Sequence, residues 1–147
     1  MKRIIKVLLL ICWIGVIFSL SFQKSDETTK TSFGVTRSVA SIYLKITNNY
    51  SEDNLNKLAE EIHPIVRKVA HFSEFFILAI LTMVVLNEFK FKYKYLYTII
   101  FCIVIASFDE SIQYFVDGRV SSLKDVLIDT SGSIVYTLLN YIYKKVK

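Results

Sequence analysis

Cysteine is scarce in this 147-residue chain: Cys12 and Cys102 are the two present, and neither belongs to a CxxC pair or any other metal spacing. A disulfide framework and a thiolate metal centre are therefore not expected, and both thiols, lying inside apolar runs, read as buried apolar groups. Also missing are an HExxH motif, a phosphate-binding loop, a nucleophile elbow and a Cys/His pair placed for catalysis, so no ready-made catalytic motif is present. There is no internal repeat and no low-complexity tract. The period-2 alternation of barrel strands is absent too, which excludes a membrane barrel.

What remains is long apolar stretches. With 53% hydrophobic residues the chain carries too much apolar surface for a soluble domain of its length, and it reads as one domain, residues 1–147, of an all-α membrane protein. Four apolar runs stand out, at residues 4–22, 69–86, 95–115 and 126–143, each near the roughly 20 helical residues that cross a bilayer core. Lipid cannot satisfy exposed backbone polar groups, so such runs must be helices. The expected architecture is a four-transmembrane-helix bundle, with a short helical extracytoplasmic segment, residues 23–68, between the first two spans.

Lys and Arg orient it. If the amino terminus is cytoplasmic, the inner segments hold Lys2, Arg3 and Lys6, then Lys90, Lys92 and Lys94, then Lys144, Lys145 and Lys147, with Glu88 as their only acid. This is the positive-inside pattern, and it places both termini in the cytoplasm of a multi-pass cell-membrane protein. The net charge of +5 is thus a topology signal, giving no support for nucleic-acid binding. Met1 to Ser21 also resembles a secretory signal, with small residues at Ser19 and Ser21. Its apolar run continues to Phe22 with Trp13 in the middle, longer than the 7–15 residues of a signal core, which favours an uncleaved span. A lipoprotein site at Cys12 is disfavoured by the bulky Ile11 before it.

In the outer segment, QKSDETTKT (residues 23–31) is charged and Thr-rich and reads as a mobile link. Val35, Val39, Ile42, Tyr43 and Ile46 then recur at helical spacing, as in an amphipathic helix lying on the outer leaflet. Leu55, Leu58, Ala59 and Ile62 suggest a second helix, capped by Ser51 or Asp53, after which Pro64 fits the first turn of the second span. These helices either cover the mouth of the bundle or form a lid or lipid-facing gate.

Ionisable residues gather at the ends of the apolar runs. The stretch DESIQYFVDGRVSSLKDVLIDTSG, from Asp109 to Gly132, puts four Asp and one Glu where membrane-length helices end and begin. A charge at the bilayer centre costs roughly 2.5–3.5 kcal/mol on insertion scales, so such side chains turn to one another, to water or to a ligand. Helical spacing places Arg67, His71 and Glu74 on one stripe of the second span, Glu110, Gln113 and Asp117 on one of the third, and Asp125, Asp129, Gly132 and Tyr136 on one of the fourth. Asp109 turns about 100° away from Glu110. Asp117 and Gly118 form a tight turn to Arg119, and Gly132 admits close approach of a neighbouring helix. The three stripes share one depth and can converge on a single outward-opening cavity.

Plainer roles exist for each of these residues. Ser122 to Asp125 has the S-x-x-D spacing of a capping box, which would make Asp125 a helix cap. Arg119 and Lys124 would serve as solvated loop charges, Lys68 would snorkel to head groups, and His71 would pack as a hydrogen-bonded histidine. Glu74 and Glu110 would form structural ion pairs with Arg67 or Arg119. Their coincidence in number favours a site.

The runs RKVAHFSEFFIL, SFDESIQYFVDGR and SSLKDVLIDTSG, in that order and preceded by WIGVIFSLSFQ in the first span, resemble the VanZ-like family, named for a protein associated with teicoplanin resistance. The resemblance covers nearly the whole chain. It places the family pattern on Lys68, His71, Phe72 and Glu74, on Asp109, Glu110, Gln113, Gly118 and Arg119, and on Asp125 and Gly132. Phe75 stands where Tyr is common and Asp129 where Asn is common, which removes a hydroxyl and adds a charge. Membership implies a small multi-span membrane protein, sometimes linked to reduced glycopeptide susceptibility, without a settled biochemical activity.

Two functions follow. In the first, the chain binds a lipid-linked cell-wall precursor or glycopeptide-type ligand at the outer leaflet, among membrane lipids, using Arg67, Lys68, His71, Glu74, Asp109, Glu110, Gln113, Arg119, Asp125 and Asp129. In the second it is a membrane-embedded enzyme acting on an envelope lipid, with His71, Glu74, Asp109 and Glu110 as candidate catalytic groups. There Asp109, Glu110 and His71 could hold a divalent metal, with oxygen ligands suiting Mg, Ca or Mn. Richness in Lys, Ile, Asn and Tyr points to an AT-rich, Gram-positive genome.

Overall fold

The computed structural model describes residues 2–23, 25–119 and 122–147, without the side chains of residues 25–28 and 31. It is helical, with no strand among the described residues: α1 (Lys2–Ser21), α2 (Ser25–Ile46), α3 (Glu52–Glu88), α4 (Lys94–Tyr114) and α5 (Leu123–Val146). At 37 residues α3 is the longest, and at 1.5 Å per residue it runs about 55 Å, well past a bilayer core of about 30 Å. It packs against each of the other four helices.

Ser51 starts α3, its hydroxyl accepting from the Asn54 amide at 3.2 Å, and Glu52 and Asp53 in the first turn complement the helix dipole. The first part of α3 makes a hairpin with α2 through a turn at Asn48, whose φ of 54° is a left-handed conformation Asn tolerates. Ala40, Leu44, Leu55 and Ala59 form a small buried core there, with Phe33, Leu58 and Ile62 against it. Val35, Val39, Ile42, Tyr43 and Ile46, the stripe expected to be the apolar face of α2, lie outside this core and are exposed.

Two expectations are corrected here. The stretch expected as a mobile link is helical from Ser25 onward, Lys24 lying outside the described residues. Pro64 lies inside α3 and does not begin it. Proline removes one amide donor and crowds the carbonyl four residues back. Pro64 and Glu60 are both exposed, so water can serve that carbonyl, while packing on either side, Leu55 and Ala59 before and Phe75 and Leu78 after, keeps the helix in line.

The larger core unites Ile17, Phe75, Leu78, Ala79, Cys102, Ile105 and Ala106, flanked by Trp13, Phe18, Phe101 and Tyr136. Around it the usual polarity is inverted. Thr98, Asp109, Asp129, Ser133 and Thr137 are buried, while Leu8, Leu9, Ile100, Phe108, Leu138 and Leu139 are exposed, an arrangement suited to lipid rather than water. Buried hydroxyls bond back to their own helix, Thr98 to the Lys94 carbonyl at 2.8 Å and Thr137 to that of Ser133 at 2.7 Å.

Among the described residues three helices, α1, α3 and α4, are long and apolar enough to cross a membrane. The expected fourth span lies in α5, where Asp129, Thr130, Ser131, Ser133, Thr137 and Asn140 dilute the hydropathy. At one end of the bundle basic residues meet the close of α3: Arg3 pairs with Glu88 at 3.0 Å, Lys6 binds the same carboxylate, and Lys94 donates to Asn87 at 2.7 Å.

Candidate functional site

At the opposite end, the close of α1, the middle of α3, the close of α4 and the start of α5 converge. Asp109, in the fifth turn of α4, is buried with both oxygens held: Oδ1 accepts from the Ser21 hydroxyl, and Oδ2 from Gln113 Nε2 at 2.9 Å, one turn along the same helix. Asp129 on α5 is completely buried. Its Oδ1 lies 3.4 Å from His71 Nδ1, an ion-pair contact without hydrogen-bond geometry, and among the described residues neither Asp129 oxygen nor His71 Nδ1 has a well-formed hydrogen bond. His71, Asp109 and Asp129 each offer a ligand atom within 4.8 Å of the others, so these three could hold a metal ion.

Gly132 makes this meeting sterically feasible. One turn beyond Asp129, it faces the backbone of α3, where a Cβ would run into the Phe72 carbonyl oxygen and lie 3.1 Å from the Phe76 nitrogen. Only hydrogen fits, and the close approach brings Asp129 to His71, the neighbour of Phe72.

Arg119 is placed by a turn in which its amide bonds the Val116 carbonyl at 3.2 Å, with Gly118 at a φ of 78°, the left-handed position where glycine is unstrained. Its Nη2 donates to the Leu20 carbonyl at the end of α1, 3.0 Å away. Trp13 donates to the Glu74 carbonyl at 3.0 Å, fixing α1 against α3. Ser21, Arg67, His71, Glu74 and Arg119, with Leu20, Val35, Val66 and Ala70, line a cleft of about 190 Å³. On the other flank of α3, Pro64, Arg67, Lys68, His71, Asp125 and Ile128 line a second cleft of the same size. His71 reaches both.

The expected residues therefore divide. Arg67, Lys68, His71, Glu74, Arg119 and Asp125 line clefts beside α3, with Asp109 and Asp129 buried below and Gln113 holding Asp109. Glu110 lies apart. Its Oε2 accepts from the Ser122 amide at 2.9 Å, while the Ser122 hydroxyl accepts from the Lys124 backbone amide at 3.1 Å. Glu110 thus does what the acid of a capping box does for α5, and Asp125 turns to a cleft instead. The space beside Glu110 is separate, about 540 Å³ between α4 and α5, lined by Ser107, Tyr114, Phe115 and Val126 among others.

Ser21 and Trp13 are contributors that sequence reasoning missed. Ser21 stood out only as a small residue at the end of an apolar run, and its bond to Asp109 requires knowing that α1 and α4 meet. Phe75, which lacks a hydroxyl, is wholly buried in the apolar core, so the missing group leaves nothing unpaired.

Neither the curated proteins nor the solved structures compared with the chain gave a match. The model of the VanZ/LLP1 family matches residues 6–144, nearly the whole chain and every residue of the polar site. With His71, Asp109, Arg119, Asp129 and Gly132 all inside that match, the chain belongs to the VanZ-like family.

Proposed function

We propose that this chain is a multi-pass protein of the bacterial cell envelope that binds the anionic head group of an envelope lipid, of the lipid-linked cell-wall precursor class, in the cleft of Ser21, Arg67, His71, Glu74 and Arg119. α1, α3, α4 and α5 cross the bilayer in this reading, with both termini in the cytoplasm and the cleft facing outward. For α5 the support is its polarity: Asp129, Thr130, Ser133 and Thr137 are buried and Leu127, Val135, Leu138 and Ile142 exposed. For orientation it is the basic end around Glu88 and Asn87. α1 stays attached as an anchor, since it supplies Ser21 and Trp13 to the bundle.

One observation carries the ligand class. The cleft joins two arginines and a histidine to an apolar wall of Leu20, Val35, Val66 and Ala70. Guanidinium groups match phosphate oxygens in geometry, and the wall suits an acyl or prenyl chain. Lowered teicoplanin susceptibility is the phenotype this offers, through occupation of a precursor or of the glycopeptide itself. The alternative, an enzyme acting on an envelope lipid, is favoured by His71 beside the hydrogen-bond-free Asp129.

Lipid mass spectrometry of the gently purified protein tests the binding reading. Wild type should carry an anionic lipid depleted at least about tenfold in Arg67→Ala, the loss expected when a charged contact of roughly 1.5–3 kcal/mol is removed. Equal lipid content in both proteins would overturn it, and recovery of a cleaved lipid product would favour the enzyme.

A further inference from the structure

We infer that His71, Asp109 and Asp129 form a binding site for a divalent first-row transition ion, zinc or manganese, inside the helix bundle. The inference stands on its own geometry and goes beyond the lipid reading. The three side chains come from three helices, α3, α4 and α5, and present one imidazole nitrogen and two carboxylate oxygens within 4.8 Å of one another.

The charge balance points to a cation. An ion taken from water into a low-dielectric interior costs several kcal/mol unless other groups replace its hydration. Asp109 has that replacement in Ser21 and Gln113. Asp129 does not: it is 0% exposed and, among the described residues, neither oxygen accepts a hydrogen bond. Buried beside it, His71 Nδ1 is also without a hydrogen bond, 3.4 Å from Oδ1. A protonated imidazole would answer one of two neighbouring carboxylates, whereas a divalent ion answers both and takes the imidazole as a neutral donor.

The donor set selects the kind of ion. Nitrogen with two carboxylates suits zinc or manganese better than calcium or magnesium, which favour oxygen alone. Three protein ligands leave coordination positions free, as in sites that also take water or substrate. His71 borders both clefts beside α3, so a phosphoryl oxygen is within the chemistry of the open positions. Ser21 and Gln113 hold Asp109 in one orientation, the role hydrogen-bonding neighbours play around metal ligands. Glu110 is not part of the set, because its Oε2 caps α5.

The test uses the full chain in lipid nanodiscs, purified through a tag without histidine. Elemental analysis, and titration of chelator-treated protein with zinc chloride or manganese chloride, would be run on wild type, Asp129→Asn, Asp109→Asn and Glu88→Gln. Wild type and Glu88→Gln should bind about one ion per chain and gain thermal stability from it. Asp129→Asn and Asp109→Asn should lose at least about tenfold in affinity, as site perturbations commonly do, with helicity and dispersity unchanged. Asp129→Asn removes a buried charge, so it should be at least as stable as metal-free wild type. If wild type binds neither ion above trace, or Asp129→Asn binds as tightly as wild type, the inference fails. Arg67→Ala separates the two proposals: it should keep the metal while losing the lipid, so a wild type that binds the metal but carries no anionic lipid, or an Arg67→Ala protein that keeps both, would sink only the lipid reading.

Discussion

Two buried carboxylates, Glu110 and Asp129, look alike in the sequence and differ in what they touch. Glu110 accepts from the Ser122 amide at 2.9 Å, so it fastens the end of α4 to the start of α5. The Asp129 carboxylate accepts no hydrogen bond among the described residues and has only the 3.4 Å ion-pair contact to His71. Truncating Glu110 leaves the half-buried Ser122 amide unpaired, which costs about 1 kcal/mol, the low end of the range for an unmet donor. Glu110→Ala should therefore lower thermal stability in detergent or nanodiscs by that amount, and Glu110→Gln, whose amide oxygen can still accept, should recover most of it. Equal loss in both variants would show that the charge, and not the cap, is what α5 needs. A capping role for an acid was legible in the S-x-x-D spacing, but not which acid fills it. Asp125 has the right spacing within one helix, yet Glu110 arrives from the preceding helix because the turn at Gly118 brings α4 back over the start of α5. Such a partner depends on tertiary approach, which spacing does not encode.

Among the elements, α3 is where the sequence was least legible. Its membrane-length portion and the helical spacing of Leu55, Ala59 and Ile62 were both apparent, but Pro64 suggested a boundary between them. A single exposed proline costs about 3 kcal/mol in a helix interior, and packing on both sides outweighs that. The amphipathic stripe of α2 was legible as helical, although the buried side is the other one, Ala40 and Leu44 against Leu55 and Ala59. Small residues bury there because two helices must approach closely. The same rule was correctly legible at Gly132, where the α3–α5 contact leaves no room for a Cβ. Gly132→Ala should cost about 1–3 kcal/mol as overpacking and, by prising α5 from α3, weaken metal binding without altering any ligand. Thermal unfolding and zinc titration of the same sample check this; unchanged values for both would mean the two helices give way without cost.

On the scale of the whole molecule, the bundle has two unlike ends. One gathers Arg3, Lys6, Lys94 and Lys144 around Glu88 and Asn87; the other holds the clefts around Arg67, His71 and Arg119. This polarity was legible from the Lys and Arg distribution, because the positive-inside rule acts on loops flanking each span and needs no tertiary information. The meeting of the stripe of Arg67, His71 and Glu74 with Asp129 across α3 and α5 follows the helical spacing, whereas Glu110 on the stripe of the third span does not join them. The division of the stripes among separate clefts was not legible, since helix rotation decides which face each stripe meets. An envelope ligand can reach Arg67 and Arg119 only if their end of the bundle faces outward, so sidedness bears on the whole account. The direct measurement is labelling of intact cells with a membrane-impermeant thiol reagent, in a background where Cys12 and Cys102 are replaced by Ser. Asn49→Cys, in the turn between α2 and α3, should label fully, and Lys92→Cys, between α3 and α4, only after the membrane is permeabilised. Labelling of Lys92→Cys in intact cells with Asn49→Cys protected would turn the clefts to the cytoplasm and contradict the proposed function.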